Sequence, residues 1–269
     1  MKTILITGST DGIGLVTAKA LLERGHRVLI HGRSEQKVNG VVAELAVLAG
    51  AERVAGFVAD LSDLVAIDSL ASDVLAANAS LDVLINNAGV FQAPKVVTAD
   101  GLDLRFVVNT LAPYLLTQKL APALRPAGRV VNLSSAAQSP VDLKALTGEV
   151  AFNDHYAAYA QSKLAITMWT RTLAQDWEGQ GPILIAVNPG SLLASKMVKE
   201  GFGVPGKDLG IGADILVRAA LDEEFAGANG QYFDNDAQRF APPHADALDD
   251  ALCRQVVATM ERMLDRIGR

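Results

Sequence analysis

The sequence predicts an α/β fold, in which a doubly wound parallel sheet of about seven strands carries helices on both faces and a further helix follows at the C-terminus. Short, β-branched and almost wholly apolar runs alternate with longer segments of helical periodicity. Such apolar runs are typical of strands that are covered on both faces. No repeat or low-complexity linker interrupts the alternation, so we expect one domain over residues 1–269, with 242–269 as a helical extension.

Strands and helices are predicted in strict succession. The strands are Thr3–Thr7, Arg27–Ile30, Arg53–Val58, Leu81–Ile85, Gly128–Leu133, Ile183–Val187 and Gly230–Phe233. The helices between and after them are Gly12–Arg24, Glu35–Ala49, Leu61–Ala77, Gly101–Leu124, Tyr156–Trp177 and Ala213–Leu221. After Pro242-Pro243, one apolar stripe predicts the last helix: Leu248, Leu252, Val256, Met260, Leu264 and Ile267. We expect this helix to dock on its own chain, with a subunit contact as the alternative.

Composition and charge exclude several classes of protein. The chain has 24 Lys and Arg against 30 Asp and Glu, a net charge of −6, and no basic stripe, so no nucleic-acid partner is expected. The longest uncharged window, Gly179–Ser195, is too short and too rich in Gly and Pro to span a membrane. The apolar run at Ile4–Ile6 is too short for a signal peptide. A single cysteine, Cys253, excludes an intrachain disulfide and favours a cytoplasmic setting, and the four histidines show no metal-ligand spacing, so no metal is predicted.

A glycine-rich turn joins the first strand to the first helix: Thr7-Gly8-Ser9-Thr10-Asp11-Gly12-Ile13-Gly14. In a Rossmann-type fold, this is where the pyrophosphate of a dinucleotide meets the N-terminus of a helix. Gly8 would allow the tight turn, Gly12 the approach of the backbone to phosphate, and Gly14 the close packing of helix on strand. We therefore expect Gly8 through Gly14 to bind a dinucleotide.

The end of the second strand indicates which dinucleotide. An NAD site would place an acidic side chain here for the ribose hydroxyl, but the sequence has Gly32 followed by Arg33. A guanidinium suits the 2′-phosphate of NADP, and the alternative is a solvated surface arginine. Asp60, followed by Leu61, would accept from the adenine amino group; alternatively Asp60 caps the helix predicted at Leu61–Ala77.

Tyr159 and Lys163 are four residues apart on a predicted helix, and therefore share one face. A nearby ammonium stabilises a phenolate, so we expect Lys163 to lower the pKa of Tyr159. The pair could then give or take a proton near neutral pH.

Further motifs occur in a fixed order around this pair: Asn86-Asn87-Ala88-Gly89, Asn109, Val131-Asn132-Leu133-Ser134-Ser135 and Asn188-Pro189-Gly190. With the glycine turn, the set resembles the short-chain dehydrogenase/reductase family over residues 1–235. The resemblance implies a catalytic tetrad of Asn109, Ser135, Tyr159 and Lys163, with Ser134 as the fallback for the serine. It also implies cofactor contacts at Asn86, Ala88, Gly89, Tyr159, Lys163, Pro189, Gly190 and Leu192.

The spacing of these motifs narrows the resemblance. Twenty-three residues separate Ser135 from Tyr159, which resembles the branch containing retinol dehydrogenases and protochlorophyllide reductases. The family's threonine after Pro189-Gly190 is replaced by Ala194, with Ser195 next. By resemblance Asn109 would anchor a water that links Lys163 to solvent; the alternative is a helix kink or cap before Thr110.

The expected function is an NADPH-dependent carbonyl reductase, or the reverse alcohol oxidation; the alternative is a non-catalytic NADP-binding redox sensor. The segments expected to roof the site, Val90–Thr98, Ala136–His155 and Ser191–Gly212, contain several larger apolar residues, few charged residues and no arginine. This favours a bulky apolar aldehyde or ketone, unless these residues merely pack the loops on the sheet. The glycines of Ser191–Gly212 predict a mobile lid, with Met197 and Phe202 over the substrate.

A homo-oligomer, dimer or tetramer, is also expected. Leu111–Leu124 and Ala157–Trp177 are apolar on more than one face, and in the family two such helices often form a dimer interface. A monomer is the alternative, in which Ala136–His155 covers those helices.

Overall fold

The chain forms one eight-stranded sheet with the order β3-β2-β1-β4-β5-β6-β7-β8. The computed structural model describes residues 1–194, 197, 203 and 205–268, with Arg125 described by its backbone alone. The strands are β1 Thr3–Ile6, β2 Arg27–Gly32, β3 Val54–Val58, β4 Leu81–Asn86, β5 Leu124–Leu133, β6 Ile183–Asn188, β7 Tyr232–Asp234 and β8 Arg239–Phe240. The sheet is parallel from β3 to β7, which confirms the predicted fold class.

The prediction of about seven strands missed β8, which pairs antiparallel with β7. This strand is only two residues long, too short to show a period in the sequence. Its Phe240 packs against Phe225 and Phe233, with ring centroids 5.2 and 5.1 Å apart. The added strand therefore closes the apolar edge of the sheet beside β7.

Nine helices cover the faces of the sheet in the described part of the chain. They are α1 Gly12–Glu23, α2 Glu35–Ala49, α3 Leu64–Ala77, α4 Leu104–Phe106, α5 Ala112–Leu120, α6 Leu143–Leu146, α7 His155–Asp176, α8 Leu209–Leu221 and α9 Asp250–Arg266. One apolar layer contains residues of α3, α5, α7 and α9; the other contains residues of α1, α2 and α8. Alternate residues of β1 supply the two layers, Leu5 to the first and Ile4 with Ile6 to the second.

Side-chain caps explain where several helices begin. Asp154 accepts from the backbone N–H groups of Tyr156 and Ala157 at the start of α7. At α3 the cap is Asp63, so the helix begins at Leu64, and the alternative role of Asp60 as its cap was wrong. Asp60 instead accepts from the backbone and the hydroxyl of Ser62, at 2.9 and 2.8 Å.

The single helix predicted at Gly101–Leu124 is divided in the structure. A π-helical stretch, Val107–Leu111, lies between α4 and α5. Inside it, the side chain of Asn109 is bonded to the loop after β4. Leu124 already belongs to β5, where it pairs with Leu81 ahead of a register shift.

Helix α9 docks on α7 of its own chain, as expected. The predicted apolar stripe was partly wrong, because Leu248 and Leu252 are 50% and 38% exposed. Leu248 lies in a 3-10 turn, Ala245–Leu248, that precedes the helix. Other residues complete the buried face of α9: Cys253, Val257 and Met263.

Candidate active site

The predicted motifs meet along the carboxyl edge of the sheet. Ile6 pairs with Ile85, Asn86 with Asn132, and Leu133 with Val187, so the segments after β1, β4, β5 and β6 are neighbours. The direction of strand addition reverses between β1 and β4. Strands β2 and β3 are added on one side of β1, and β5 to β8 are added on the opposite side, beyond β4. Ligands of open α/β sheets bind outside such a switch point.

The glycine turn shows why three of its positions are glycine. Gly8 has φ +64°, and a Cβ there would lie 2.9 Å from Ala88 Cα. A Cβ on Gly14 would lie 2.5 Å from Gly8 O, so α1 packs directly on the turn. Gly12 has φ +57°, and its Cβ would meet nothing within 4 Å. The N-terminus of α1 is thus open at Gly12, which fits the approach of a phosphate to the backbone.

Other residues of the turn have structural side chains. Ser9 is fully buried and donates to Ile6 O at 2.8 Å. Ile13 packs against Gly212 of α8, and Asp11 caps α1 through the N–H of Gly12 at 2.7 Å. Thr10 explains Gly32, because a Cβ at Gly32 would lie 2.7 Å from the Thr10 methyl. An acidic side chain for an NAD ribose has no room at that position.

His31 at the end of β2 was missed by the sequence analysis. Its Nδ1 accepts from the N–H of Gly8 at 3.1 Å, and its Nε2 lies 3.2 Å from Ala59 O. Since Nδ1 accepts, the ring proton is on Nε2 and is donated to Ala59. Burial lowers the pKa of His31 to about 4, so the ring is neutral. A polar residue between Ile30 and Gly32 at the end of an apolar strand was the only signal in the sequence.

Arg33 and Asp60 follow the paired strands β2 and β3 at the same edge of the sheet. Gly32 pairs with Val58, and the N–H of Ala59 donates to Gly32 O at 3.2 Å. Arg33 and Asp60 are exposed, and within the described ranges no hydrogen bond or ion pair involves the Arg33 side chain. Leu61 is buried in the core. The Arg33 guanidinium is therefore available to a ligand at this edge.

The residues after β4 divide into structural and open positions. Asn86 is buried, and its Nδ2 donates to Thr117 Oγ1 and Asn132 Oδ1 at 3.1 and 2.8 Å. This turns its amide toward α5 and β5, so its predicted cofactor contact stays a prediction. The N–H of Ala88 donates to Thr7 Oγ1 at 3.0 Å. Gly89 faces the tetrad, because a Cβ there would lie 3.4 Å from Asn109 Oδ1 and 3.7 Å from Lys163 Nζ.

Ser135, Tyr159 and Lys163 come together beside the end of β5. The Ser135 side chain lies close enough to the Tyr159 hydroxyl to act on its pKa. Lys163 Nζ lies 5.6 Å from the centroid of the Tyr159 ring and donates to Leu133 O at 2.7 Å. Ser134, the fallback for the serine, is buried and bonded to Lys163 O and Thr167 Oγ1. The geometry therefore places Ser135, rather than Ser134, on the tyrosine hydroxyl.

The pKa values differ from the sequence expectation. Burial raises the pKa of Tyr159, with the hydrogen bond from Ser135 acting in the opposite direction. Burial also lowers the pKa of Lys163 to about 7. The expected lowering at Tyr159 by the ammonium was wrong for the protein alone, because desolvation of the phenolate outweighs it.

Asn109 connects the helices around this group. Its Nδ2 donates to Ser162 Oγ at 3.0 Å, and Ser162 Oγ donates to Tyr159 O at 2.7 Å. Its Oδ1 accepts from the N–H of Val90 at 2.8 Å. The kink considered as its alternative role exists as the π-helical stretch, a feature frequent at functional sites.

The loop after β6 is held by residues that sequence reasoning did not single out. Asp236 accepts from the backbone and hydroxyl of Ser191, and Asn188 Nδ2 donates to Asp234 and Asp236. The loop that follows Asn188 contains Pro189, Gly190 with φ +120° and the exposed Leu192 with φ +55°. These contacts fix the loop beside the ends of β5 and β6.

The predicted lid is only partly described. Met197 Cε would lie 3.8 Å from a Cβ on Gly89, which places Met197 near the tetrad. Ser195, Phe202 and Val204 lie outside the described residues, as does Gly201 of the predicted glycine set. At the base of the segment, Leu192 O accepts from the N–H of Lys207, and Lys207 O from the N–H of Ala194, both at 2.7 Å.

The described residues contain no group of three or more His, Cys, Asp or Glu side chains that could hold a metal ion. None of the helices formed by these residues has the length and apolar character needed to cross a bilayer.

Comparison with known proteins adds four findings. The family model for short chain dehydrogenase matches residues 2–202. Retinol dehydrogenase 13 of Homo sapiens is 30% identical over 281 residues, which cover 98% of this chain and 84% of the relative. An uncharacterised protein from Mycobacterium paratuberculosis has a similar crystal structure, with TM-score 0.81, 27% identity and coverage of 98% and 94%. So has a short chain dehydrogenase from Burkholderia cenocepacia in complex with NADP, with TM-score 0.67, 29% identity and coverage of 87% and 95%.

Proposed function

The chain belongs to the short-chain dehydrogenase/reductase family, in the retinol dehydrogenase branch, and from this we propose an NADPH-dependent carbonyl reductase that also catalyses the reverse alcohol oxidation. That it is a dehydrogenase or reductase follows from the family and its relatives. The proposal adds the preferred cofactor, the direction and the substrate class. The observation that carries it is the placement of Ser135 and Lys163 beside Tyr159, with Lys163 Nζ 5.6 Å from the centroid of the tyrosine ring.

The side chains support carbonyl chemistry as follows. When bound, NADPH supplies hydride from its nicotinamide ring. Ser135 and Tyr159 present hydroxyls to one point, where both can donate to a carbonyl oxygen that gains negative charge. Tyr159 holds the proton that this oxygen takes, and its raised pKa keeps the hydroxyl protonated at neutral pH. Lys163, with a pKa of about 7, is poised to exchange a proton on the same side of α7.

NADP fits the glycine turn and the edge of β2. The open N-terminus of α1 at Gly12 suits the pyrophosphate, and by resemblance to the family Pro189 and Gly190 would flank the nicotinamide. Arg33 would hold the 2′-phosphate, since it is exposed and Gly32 leaves no room for an acidic side chain. The NADP complex of the Burkholderia cenocepacia structure supports a nicotinamide cofactor.

The substrate we propose is a bulky, mainly apolar aldehyde or ketone. Phe91, which is 6% exposed, packs edge-on against Tyr159 with centroids 5.3 Å apart. Met197 lies near Gly89, which also faces Lys163. Apolar side chains are thus present beside Tyr159 and beside Gly89, and the name of the relative retinol dehydrogenase 13 specifies an apolar alcohol.

The test compares two tyrosines one turn apart on α7. In Tyr159→Phe we expect reduction of aldehydes and ketones by NADPH to fall at least a hundredfold, the lower end of acid catalysis, while NADPH binding persists. Tyr156→Phe is the matched control, because Tyr156 is 49% exposed. Tight NADPH binding by the unmodified protein with no turnover on any carbonyl would instead favour the redox sensor.

We propose the cytoplasm as the setting of this enzyme. Cys253 is buried and unpaired, which suits a reducing compartment. Fractionation should recover the protein with the cytosol, and recovery in the membrane pellet would contradict this.

A further inference from the structure

Three residues of α7 form a row along one face of the helix. His155, Tyr159 and Lys163 are spaced by four, so each lies one turn from the next, roughly 5–6 Å between Cβ atoms. Tyr159 and Lys163 belong to the proposed catalytic group. His155 is the first residue of α7 and is exposed.

A buried arginine fixes the protonation of His155. The Arg105 side chain is 2% exposed and pairs with Asp103 at 2.5 Å. Its Nη1 lies 2.6 Å from His155 Nδ1. A guanidinium only donates, so Nδ1 must accept and the ring proton must be on Nε2. His155 therefore offers one N–H donor, at Nε2, and among the residues that the structure describes this N–H has no hydrogen-bond partner.

This histidine lines a cavity that is open to solvent. The cavity has a volume of about 370 Å³, and its described lining residues are Gln92, Ala93, Pro94 and His155. Gln92 follows Phe91, whose ring packs on Tyr159. The residues that line the cavity are therefore connected to Tyr159 through one turn of α7 and through the loop after β4.

We propose that this cavity is the outer part of the substrate site, and that His155 Nε2 donates a hydrogen bond to a second oxygen of the substrate. The inference rests on the proposed function and narrows its substrate class to apolar carbonyl compounds with a further acceptor one helical turn from the reacting carbonyl. We propose a neutral acceptor, because the positive charge of Arg105 is already paired with the Asp103 carboxylate and does not call for a negative charge on the substrate. An ether, ester, hydroxyl or second carbonyl oxygen meets this requirement.

The experiment uses nonan-2-one and isosteric ketones in which one ether oxygen replaces a chain methylene at successive positions. The measured quantity is the ratio of kcat/KM for each oxa-ketone to that for nonan-2-one, with NADPH. A neutral hydrogen bond corresponds to about a fivefold ratio. We expect the unmodified enzyme to show such a preference for one oxygen position. His155→Leu should bring the ratio to about one, and His155→Gln should retain it, because glutamine can accept from Arg105 and still donate.

Two results with active ketones overturn the inference. One is the same ratio of kcat/KM in the unmodified enzyme and in His155→Leu, and the other is no preference for any oxygen position. If nonan-2-one and every oxa-ketone are inert, the proposed function fails, and ¹⁵N NMR of the histidine side chains then tests the site alone. A shift of His155 Nε2 with an oxa-ketone, absent with nonan-2-one, would support the site, and no shift would overturn it.

Discussion

His31 holds the glycine turn with a ring that accepts protons poorly. Its pKa of about 4 lies below the unfolded value of 6.5, so the unfolded chain binds the proton more readily. The contribution of the neutral ring to stability is therefore full above pH 6.5 and is lost as pH falls from 6.5 to about 4. The difference in pKa corresponds to about 3 kcal/mol.

We expect the free energy of unfolding of the unmodified protein to fall more steeply over this interval than that of His31→Gln. Urea unfolding at several pH values between 7 and 4 measures both. Parallel curves for the two proteins would show that His31 is not the titrating group.

Arg33 determines cofactor preference in our proposal. Arg33→Asp removes the partner of the 2′-phosphate and places a like charge there, so the NADPH-to-NADH preference should fall at least tenfold, given about 1.5–3 kcal/mol for a charge-assisted contact. Steady-state kinetics with both cofactors measures it. Lys37→Asp, the same charge change in the first turn of α2, is the control and should change the preference little. If NADH already wins in the unmodified enzyme, the assignment of Arg33 is wrong.

At the scale of elements, two helical glycines should respond in opposite ways to the same substitution. Gly14→Ala in α1 would place a Cβ 2.5 Å from Gly8 O, so the helix must move away from the turn. Gly40→Ala in α2 meets nothing within 4 Å. We expect Gly14→Ala to lower Tm and weaken NADPH binding, and Gly40→Ala to add up to about 1 kcal/mol through helix propensity. Thermal unfolding with and without NADPH tests both, and a Gly14→Ala protein that binds NADPH normally would disprove the packing argument.

The elements that the sequence predicted well are those in which a pattern of apolar residues continues over the whole length of the strand or helix. Strands such as Leu81–Asn86 and the helix at His155–Asp176 were found to within one or two residues. The sequence predicted one helix around Asn109 and offered a kink there only as an alternative, because the break depends on hydrogen bonds to Val90, 19 residues away. Helix α6 has one turn, too short to predict.

The residues of the site were also predicted where a local pattern marks them and missed where a distant contact does. Ser135, Tyr159 and Lys163 were predicted because they stand in short motifs of the sequence. His31 and His155 were judged unremarkable, since their partners Gly8 and Arg105 are 23 and 50 residues away. The inward orientation of Asn86 likewise depends on Asn132 and Thr117.

At the scale of the whole molecule, α9 packs where the sequence led us to expect the second subunit of a homo-oligomer. Tyr114 of α5 donates to Glu261 of α9 at 2.7 Å and packs on Trp169 of α7, and both rings are buried within one chain. Met260 of α9 joins the same apolar layer. Helix α9 thus covers the face of α7 that was proposed for a dimer interface, and Ala145 and Leu146 of the Ala136–His155 loop join the same apolar layer.

We therefore expect the monomer alternative to hold. Light scattering at micromolar concentration should give about the chain mass of 28.3 kDa. A mass of twice or four times that value would restore the homo-oligomer, through a surface other than this one.

Helix α9 also decides how the protein responds to dilution. A face covered by a second subunit is exposed when the concentration falls below the dissociation constant, whereas a face covered by the same chain is not. The thermal midpoint and the activity per molecule should then be identical at nanomolar and micromolar concentrations. We expect such an enzyme to stay folded and active even where only a few copies are present.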